Sequence, residues 1–287
     1  MSTFAAHIDA AARASLADEL ALSPKPGLVT PDSRGSHDDM DHRHFAASIS
    51  ALAGYFGDCA RLGTAGAGFE ALRARGIEAE AAMLAATGGI NTHRGAIFTL
   101  GLLAAAAGAQ TRGNRPLAVD RLGELIAREW STAILAASRS APPSNGARVR
   151  AALGLPGARE HAAGGLPLLF DTALPALRHA RAALGDTPAA SLHALMSTVA
   201  VLPDTTLAHR GGRAGLARAR LAANRFLNDG SVFAPLWRER LAEIGADFVS
   251  HRLSPGGSAD LLAAAMMLLR LEGLGVRPAQ RTEALAS

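Results

Sequence analysis

The sequence has 287 residues, of which 49% are hydrophobic, 19% charged and 4% aromatic. This composition allows a sizeable core and excludes a disordered chain, while the single cysteine, Cys59, excludes a disulfide scaffold. The net charge of +4 arises from 29 basic and 25 acidic residues that are mixed along the chain with few aromatics between them. That mixture is typical of a solvated surface and argues against a nucleic-acid-binding face.

Apolar helical stretches alternate with short loops that are rich in Gly and Pro. Ala and Leu favour helices, whereas the β-branched and aromatic residues that fill strands are scarce. No two segments alternate in hydrophobicity with a period of two, so no hairpin is predicted. We predict an all-α fold: a single globular domain, 1–287, of about ten helices with a polar cleft formed by Gly-rich interhelical loops. The helices are predicted at 4–22, 38–57, 67–86, 95–110, 118–138, 168–184, 188–202, 213–228, 232–247 and 258–272.

The longest uncharged run, 95–111, is rich in Ala and Gly. It is shorter than the roughly 20 residues that span a bilayer, so we predict a buried core helix and no membrane association. The first 17 residues carry charged side chains that the apolar part of a signal peptide does not contain. With a free cysteine and no export signal, the chain is expected in the cytoplasm.

The first polar loop holds the only lysine of the chain, Lys25, between two prolines. Its ammonium sits on a stiff stretch and could meet a phosphate oxygen as a point charge, or it could be an ordinary solvated lysine. The loop continues into the acidic run GSHDDMD at 35–41. Carboxylates there could cap the next helix. Three of them beside His37 would repel one another unless a cation lies among them, which indicates a divalent metal or a cationic substrate group.

The later loops are also dense in polar residues and glycine. In TGGINTHRGA, 87–96, the glycines allow close backbone approach, and a helix that begins near Gly95 exposes N–H groups to an anion. His93 there could be a general acid, a phosphate donor or a helix cap. In the loop at 253–261 we predict Ser258 as an N-cap and Asp260 in the first turn. No Gly-Lys-Ser/Thr run and no His-Glu-x-x-His run occurs, which excludes a P-loop and argues against zinc. The residue types indicate a helical enzyme that binds a polyanion.

Together these loops resemble the triphosphoribosyl-dephospho-coenzyme A synthase family, which makes the prosthetic-group precursor of citrate lyase and malonate decarboxylase. The matching runs are PKPGLV at 24–29, GSHDDMD at 35–41, TGGINTHRGAIF at 87–98, GARE at 157–160, HRGG at 209–212 and LSPGGSADLL at 253–262. They occur in the family's order over most of the chain. Two departures are Arg94, where the family usually has Lys, and Asn145, where it usually has His. Arg94 keeps the charge but changes the hydrogen-bond geometry, and Asn145 argues against a catalytic histidine at that point.

The resemblance implies a pentosyl transfer. The 5-triphosphoribosyl group of ATP passes to the 2′-hydroxyl of 3′-dephospho-coenzyme A, and adenine leaves. Protonation of adenine and a base for the hydroxyl would assist this reaction. For this reaction we predict catalytic roles for His37, Asp39, Asp41, His93, Glu160, Asp204 and Asp260. The four aspartates, Asp39, Asp41, Asp204 and Asp260, would hold Mg²⁺ on the triphosphate or stabilise the oxocarbenium ion, and one of them or Glu160 would act as the base. His37 and His93 would donate a proton to adenine. We predict substrate contacts for Lys25, Gly88, Gly89, Asn91, Arg94, His209, Arg210, Gly211, Gly256, Gly257 and Ser258.

The expected partners are the two substrates and a transferase that receives the product and loads an acyl carrier protein, with malonate decarboxylase favoured over citrate lyase. The oligomeric state, a homodimer among the options, is left open. One alternative is an all-helical, Mg²⁺-dependent enzyme like the ADP-ribosyl hydrolases, which also break a ribosyl bond. The other is a nucleotide-binding protein that keeps the loops without the chemistry.

Overall fold

The structure, a computed structural model, describes residues 3–113, 115–140, 149 and 152–273. No strand occurs in this part of the chain, where the only β-type pairing is an isolated bridge between Thr30 and Ser33. The predicted all-α class is confirmed. The α-helices, numbered in chain order, are α1 Thr3–Ala21, α2 His42–Ala51, α3 Tyr55–Ala65, α4 Phe69–Ala86, α5 Arg94–Gln110, α6 Leu122–Ser140, α7 Ala158–Ala163, α8 Leu174–Leu184, α9 Pro188–Val201, α10 Thr205–Asn228, α11 Trp237–Ser250 and α12 Gly256–Gly273.

Helix α5 lies in the centre of the core, and most of its 17 residues are buried. It packs very closely on α3. A Cβ added at Gly63 would lie 1.9 Å from the carbonyl oxygen of Ala105, and one added at Gly108 would lie 1.9 Å from that of Ala60. The predicted core helix at 95–110 is therefore confirmed. None of the described helices is both long and apolar enough to cross a membrane.

The predicted helix at 38–57 is wrong, because two helices occupy this region with an irregular segment before them. Asp41 has an extended backbone, and its carboxylate accepts the N–H groups of Arg43 and His44, so α2 begins only after it. The chain then turns at 52–54, where Gly54 takes a left-handed φ of 86° that interrupts the helix before α3. His37 therefore lies before the helix, in the irregular segment.

The predicted start at 213 is also wrong, and so is the predicted N-cap role of Ser258. The helix predicted at 213–228 begins at Thr205, because Asp204 caps it, and it bends at Gly212 with φ of 62°. The last helix begins at Gly256 and not at Ser258. Ser258 therefore lies inside the first turn of α12 and is not its N-cap, and Asp260 lies beyond that first turn. The stretch between the helices predicted at 118–138 and 168–184 contains α7 in its described part.

Glycine and serine hold two distant loops together beside the N-terminus of α12. A Cβ on Gly27, whose φ is 69°, would lie 2.1 Å from the carbonyl oxygen of Leu253. Ser36 donates its N–H to the carbonyl of Gly27 at 3.0 Å and its hydroxyl to the carbonyl of Leu253 at 2.5 Å. The loop after α1 is thus fixed against the loop before α12, although more than two hundred residues separate them in the sequence.

Candidate active site

A cavity of about 150 Å³ lies where the end of α1, the loop after it, the N-terminus of α5 and the N-terminus of α12 meet. Its apolar lining includes Leu16, Val29 and Phe45. Its polar lining consists of Glu19, Lys25, His37, Asn91, Thr92, His93, Arg94, Thr206, Ser254 and Asp260. The structure therefore brings Lys25, His37, Asn91, His93, Arg94, Gly256 and Asp260, all predicted from the sequence, into one cavity.

Lys25 forms a buried ion pair at one wall of this cavity. Its Nζ donates to the carbonyl oxygen and to Oε1 of Glu19, both at 2.7 Å. The side chains of Lys25 and Glu19 are only 1% and 8% exposed. An ammonium has three N–H donors, and these two bonds use two of them. One donor of Lys25 thus remains for a ligand.

His93 lies at the N-cap position of α5, but its side chain makes no capping bond. Its Nδ1 lies 2.7 Å from Oγ of Ser48, and its ring packs edge-on against Phe45. Its Nε2 and Oγ1 of the neighbouring Thr92 are buried and have no hydrogen-bond partner among the described residues. Burial, and next the charge of Lys25, lower the pKa of His93 to about 3, so the ring is neutral. Two residues that line the cavity therefore each carry a buried polar atom without a partner in the described part of the chain.

Asp260 reaches the cavity from α12 and lies against the start of α5. A Cβ at Gly95 would be 1.9 Å from Oδ2 of Asp260, so only glycine at position 95 permits this approach. Burial raises the pKa of Asp260 well above its usual value, the carboxylates of Asp204 and Glu19 raise it further, and a hydrogen bond from the backbone of Ala96 opposes them. Asp260 therefore holds a proton at a higher pH than an ordinary aspartate does.

Asp204 does not line the cavity, but it binds the helix starts that form part of the cavity wall. Its Oδ1 accepts the N–H groups of Thr206 and Leu207, and its Oδ2 accepts the N–H and the hydroxyl of Ser258. A Cβ on Gly257 would come within 3.1 Å of the same carboxylate. Asp204 is 1% exposed, and its four bonds join the starts of α10 and α12. This places Asp204, Gly257 and Ser258 in the framework that holds Asp260 and Gly256.

The four carboxylates that the sequence assigns to Mg²⁺ do not converge. Asp41 is engaged as the cap of α2 and also contacts Nδ1 of His44 at 2.8 Å, while the side chain of Asp39 is 64% exposed. Of the four, only Asp260 lines the cavity. Over the ranges that the structure covers, no three His, Cys, Asp or Glu side chains are grouped in a way that could hold a metal ion.

His37 connects the cavity to Arg210. Nη2 of Arg210 lies 2.9 Å from Nδ1 of His37, and Nε2 of His37 lies 2.9 Å from Oγ of Ser254. Burial, and next the charge of Arg210, lower the pKa of His37 to about 4. Arg210 also donates to the carbonyl of Ser36 at 2.9 Å and is not among the cavity's lining residues.

Several predicted site residues lie outside the cavity lining. Glu160 lies at the start of α7, where it accepts the N–H of Gly157. Arg94 does line the cavity, but its guanidinium also forms an ion pair with Glu80. Asn145 lies outside the described residues. The other predicted residues outside the lining are Asp39, Asp41, Gly88, Gly89, His209 and Gly211.

The structure adds lining residues that the sequence did not single out as site residues. Thr92, Gly95 and Ser254 stand inside the motifs, so their position was a usable signal, whereas Thr206 lies just before the motif at 209–212. Glu19 had no such signal, because it lies in the regular helix α1 outside every motif. Only its contact with Lys25 shows its place in the site.

Comparisons with known proteins agree on one family. Residues 5–278 match the family described as ATP:dephospho-CoA triphosphoribosyl transferase. Three relatives carry the name "probable 2-(5″-triphosphoribosyl)-3′-dephosphocoenzyme-A synthase". The protein of Acinetobacter calcoaceticus is 38% identical, covering 95% of this chain and 93% of its own. That of Azotobacter vinelandii is 40% identical (90% and 89%), and that of Pseudomonas putida is 39% identical (93% and 95%). No solved structure matches the chain.

Proposed function

The chain belongs to the ATP:dephospho-CoA triphosphoribosyl transferase family, and we propose that the cavity beside Lys25 is the site where its two substrates react. The enzyme moves the triphosphoribosyl group of ATP to dephospho-coenzyme A. In the proposed reaction the 2′-hydroxyl of 3′-dephospho-coenzyme A attacks C1 of the ATP ribose and adenine leaves, while the triphosphate is retained. The observation that carries this assignment is the meeting of Lys25, Asp260 and two helix N-termini in one cavity.

The triphosphate is placed at the starts of α5 and α12. The first N–H groups of a helix lack partners within it and carry a partial positive charge, so they favour an anion. Arg94 and Gly95 of α5 line the cavity together with Gly256 of α12. The remaining N–H of the Lys25 ammonium adds a donor at the same cavity, where the Glu19 carboxylate offsets the charge of the ammonium.

Asp260 is proposed as the proton donor to adenine. A carboxyl group whose pKa is raised keeps its proton to a higher pH than an ordinary aspartate does, and it can donate that proton to a departing base. The sequence analysis predicted His37 and His93 as proton donors to adenine. Their pKa values are about 4 and about 3, so both rings are neutral and hold no extra proton to give.

Glu19 is proposed as the acceptor of the proton from the attacking hydroxyl. It lines the same cavity as Asp260, and its Oε1 accepts a hydrogen bond from the Lys25 ammonium at 2.7 Å. Two carboxylates with opposite electrostatic surroundings fit the division of labour between acid and base. The unpartnered Nε2 of His93 and Oγ1 of Thr92 are proposed to contact the ribose or the base.

Mg²⁺ is proposed to enter with the triphosphate of ATP. Asp204 and Asp41 already accept several hydrogen bonds, so they are poor metal ligands in this arrangement. Mg²⁺ commonly keeps several waters and binds mainly through substrate phosphates, so it would need few carboxylates from the protein here. When bound, the ion would neutralise triphosphate charge.

The test is mass spectrometry of the purified protein incubated with ATP, Mg²⁺ and 3′-dephospho-coenzyme A. We expect adenine and a product heavier by one triphosphoribosyl unit. Adenine without that product would indicate a hydrolase, and bound ATP with no adenine would indicate a non-catalytic protein.

Two variants then test the acid and the base. Asp260→Asn and Glu19→Gln should each lower kcat by about 10²- to 10⁴-fold. Asp247→Asn is the matched control, because Asp247 pairs with Arg218 on the surface away from the cavity. Full activity of Asp260→Asn would remove Asp260 from the acid role.

We also propose that the product serves the acyl carrier protein of malonate decarboxylase, in preference to that of citrate lyase. The support is compositional: the chain is rich in Ala and Arg. The product would be given, with the appropriate transferase, to each carrier protein from the same organism. Loading of the citrate lyase carrier alone would overturn this preference.

A further inference from the structure

The geometry points to Ser254 as a phosphate-binding hydroxyl whose donor direction is set by His37 and Arg210. This inference rests on the proposed function for the identity of the phosphate as that of ATP. Nη2 of Arg210 lies 2.9 Å from Nδ1 of His37. A guanidinium has only donors, so Nδ1 must be the acceptor and carries no proton.

The proton of the neutral His37 ring therefore lies on Nε2. That N–H donates to Oγ of Ser254, 2.9 Å away. The pKa of about 4 supports the neutral state of the ring at ordinary pH. Since the Ser254 oxygen accepts from His37, its own O–H remains as a donor. Each bond in this chain runs in one direction, from Arg210 through His37 to Ser254.

Arg210 is held in a fixed position, and this keeps the series of hydrogen bonds from Arg210 to Ser254 in place. Its Nη1 donates to the carbonyl oxygens of Ser36 at 2.9 Å and of Arg252 at 3.3 Å. His37 and Ser254 both line the cavity, whereas Arg210 does not. Arg210 and His37 thus act as positioning residues, and Ser254 is the group that meets the ligand.

The ligand of a lone hydroxyl donor must be an acceptor, and its surroundings favour an anionic one. Ser254 is 1% exposed, so its O–H has little access to water and needs a partner from a ligand. It stands two positions before Gly256, the first residue of α12, which lines the same cavity. The partial positive charge of this helix start favours a phosphate oxygen over a ring nitrogen of adenine.

Binding of inorganic tripolyphosphate and of adenosine, each measured by calorimetry, separates these two acceptors without any turnover. Ser254→Ala should raise the Kd of tripolyphosphate roughly 10- to 100-fold, because a hydrogen bond to a charged group is lost, and leave that of adenosine unchanged. Ser197→Ala is the matched control, because the Ser197 hydroxyl donates within α9 to the carbonyl of His193. A weaker Kd for adenosine alone, or unchanged Kd values for both probes, would overturn the phosphate assignment.

Substitutions at His37 test the direction of the hydrogen bonds from Arg210 to Ser254. A glutamine amide can accept from Arg210 with its oxygen and donate to Ser254 with its nitrogen, so His37→Gln should bind tripolyphosphate nearly as the natural chain does. His37→Leu should weaken binding as Ser254→Ala does. An equal loss of tripolyphosphate binding in both His37 variants would contradict the proposed direction of these hydrogen bonds.

Nitrogen-15 NMR of the unmodified protein tests the tautomer and needs no variant to fold. The Nε2–H form of His37 is expected, and an Nδ1–H form would overturn the inference. Release of adenine by the unmodified protein reports separately on the proposed function. Loss of that activity with intact tripolyphosphate binding would leave the Ser254 assignment standing.

Discussion

The ammonium of Lys25 donates to two oxygens of a single residue, Glu19, with both distances at 2.7 Å. The pair joins the stiff proline-flanked loop to α1, and both side chains are almost fully buried. The only lysine of the chain is therefore both a structural contact and, through its third N–H, a candidate ligand for phosphate.

Removal of one partner of this pair should be far more harmful than removal of both. Lys25→Met leaves the Glu19 carboxylate buried without its counter-charge, and should lower the free energy of unfolding by about 3–5 kcal/mol. The double variant Lys25→Met, Glu19→Gln should recover much of that loss. Urea unfolding measures both, with Glu129→Gln of the surface pair Arg128–Glu129 as a control expected to change the value by less than about 1 kcal/mol. Additive losses in the double variant would show that the two side chains do not interact.

Gly95→Ala should damage the site directly. The new Cβ would stand 1.9 Å from Oδ2 of Asp260, so either the carboxylate or α5 must move. We expect a loss of about 1–3 kcal/mol in stability and a large fall in kcat. The matched control is Gly76→Ala in α4, where the nearest atom would be the Tyr55 hydroxyl at an ordinary 3.5 Å. That substitution should be neutral or stabilising, because alanine favours a helix interior over glycine. Normal turnover of Gly95→Ala would place Asp260 outside the reaction.

Asp260 should make stability fall as the pH rises. The pKa of its carboxyl is raised in the folded protein, so the folded state holds a proton that the unfolded chain releases above its ordinary value near 3.8. Its contribution is present at low pH and is lost as the pH rises through the folded pKa. Asp260→Asn removes this penalty, so the variant should be more stable than the natural chain at pH 8, with the difference shrinking toward pH 4. Thermal unfolding at both pH values checks this, and a less stable variant at pH 8 would contradict it.

His93 should have the opposite effect on the acid side. Its folded pKa is about 3, whereas the unfolded ring titrates near 6.5, so protonation between these values favours the unfolded chain. Stability is retained above pH 6.5 and is lost below it, by up to about 1.4 kcal/mol per pH unit for this ring. His93→Gln should flatten the decline in free energy of unfolding between pH 6.5 and pH 5. An unchanged slope would mean that the ring is accessible to protons in the folded state.

The sequence predicted the helical class and α5 well. A run of Ala, Leu and Gly without charged residues is best accommodated as a helix buried in the core. The motifs also led to seven residues of the cavity lining. Roles within the motifs were harder to assign. Asp41 and Asp204 look alike in sequence, yet one caps an exposed helix and the other joins two helix starts in the interior.

Pairings between distant residues could not be read from the sequence. Glu19 meets Lys25 because α1 ends beside the loop, and no local pattern marks it. Asp260 meets Gly95 because two helix starts converge, and 165 positions separate these residues. The break between α2 and α3 was also missed, since the apolar pattern continues across the turn that Gly54 creates.

The glycine contacts between α3 and α5 set the orientation of α5, and so they also set the position of its distant N-terminus. Gly108 lies 14 positions along α5 from the start of that helix at Arg94, a length of about 20 Å at 1.5 Å per residue. A side chain at Gly63 or Gly108 would push α3 and α5 apart near the C-terminal end of α5. This would tilt α5 and displace its N-terminal end, which carries Gly95. Enzyme variants selected for altered turnover would therefore be expected to include changes at this remote crossing, where no atom touches a substrate.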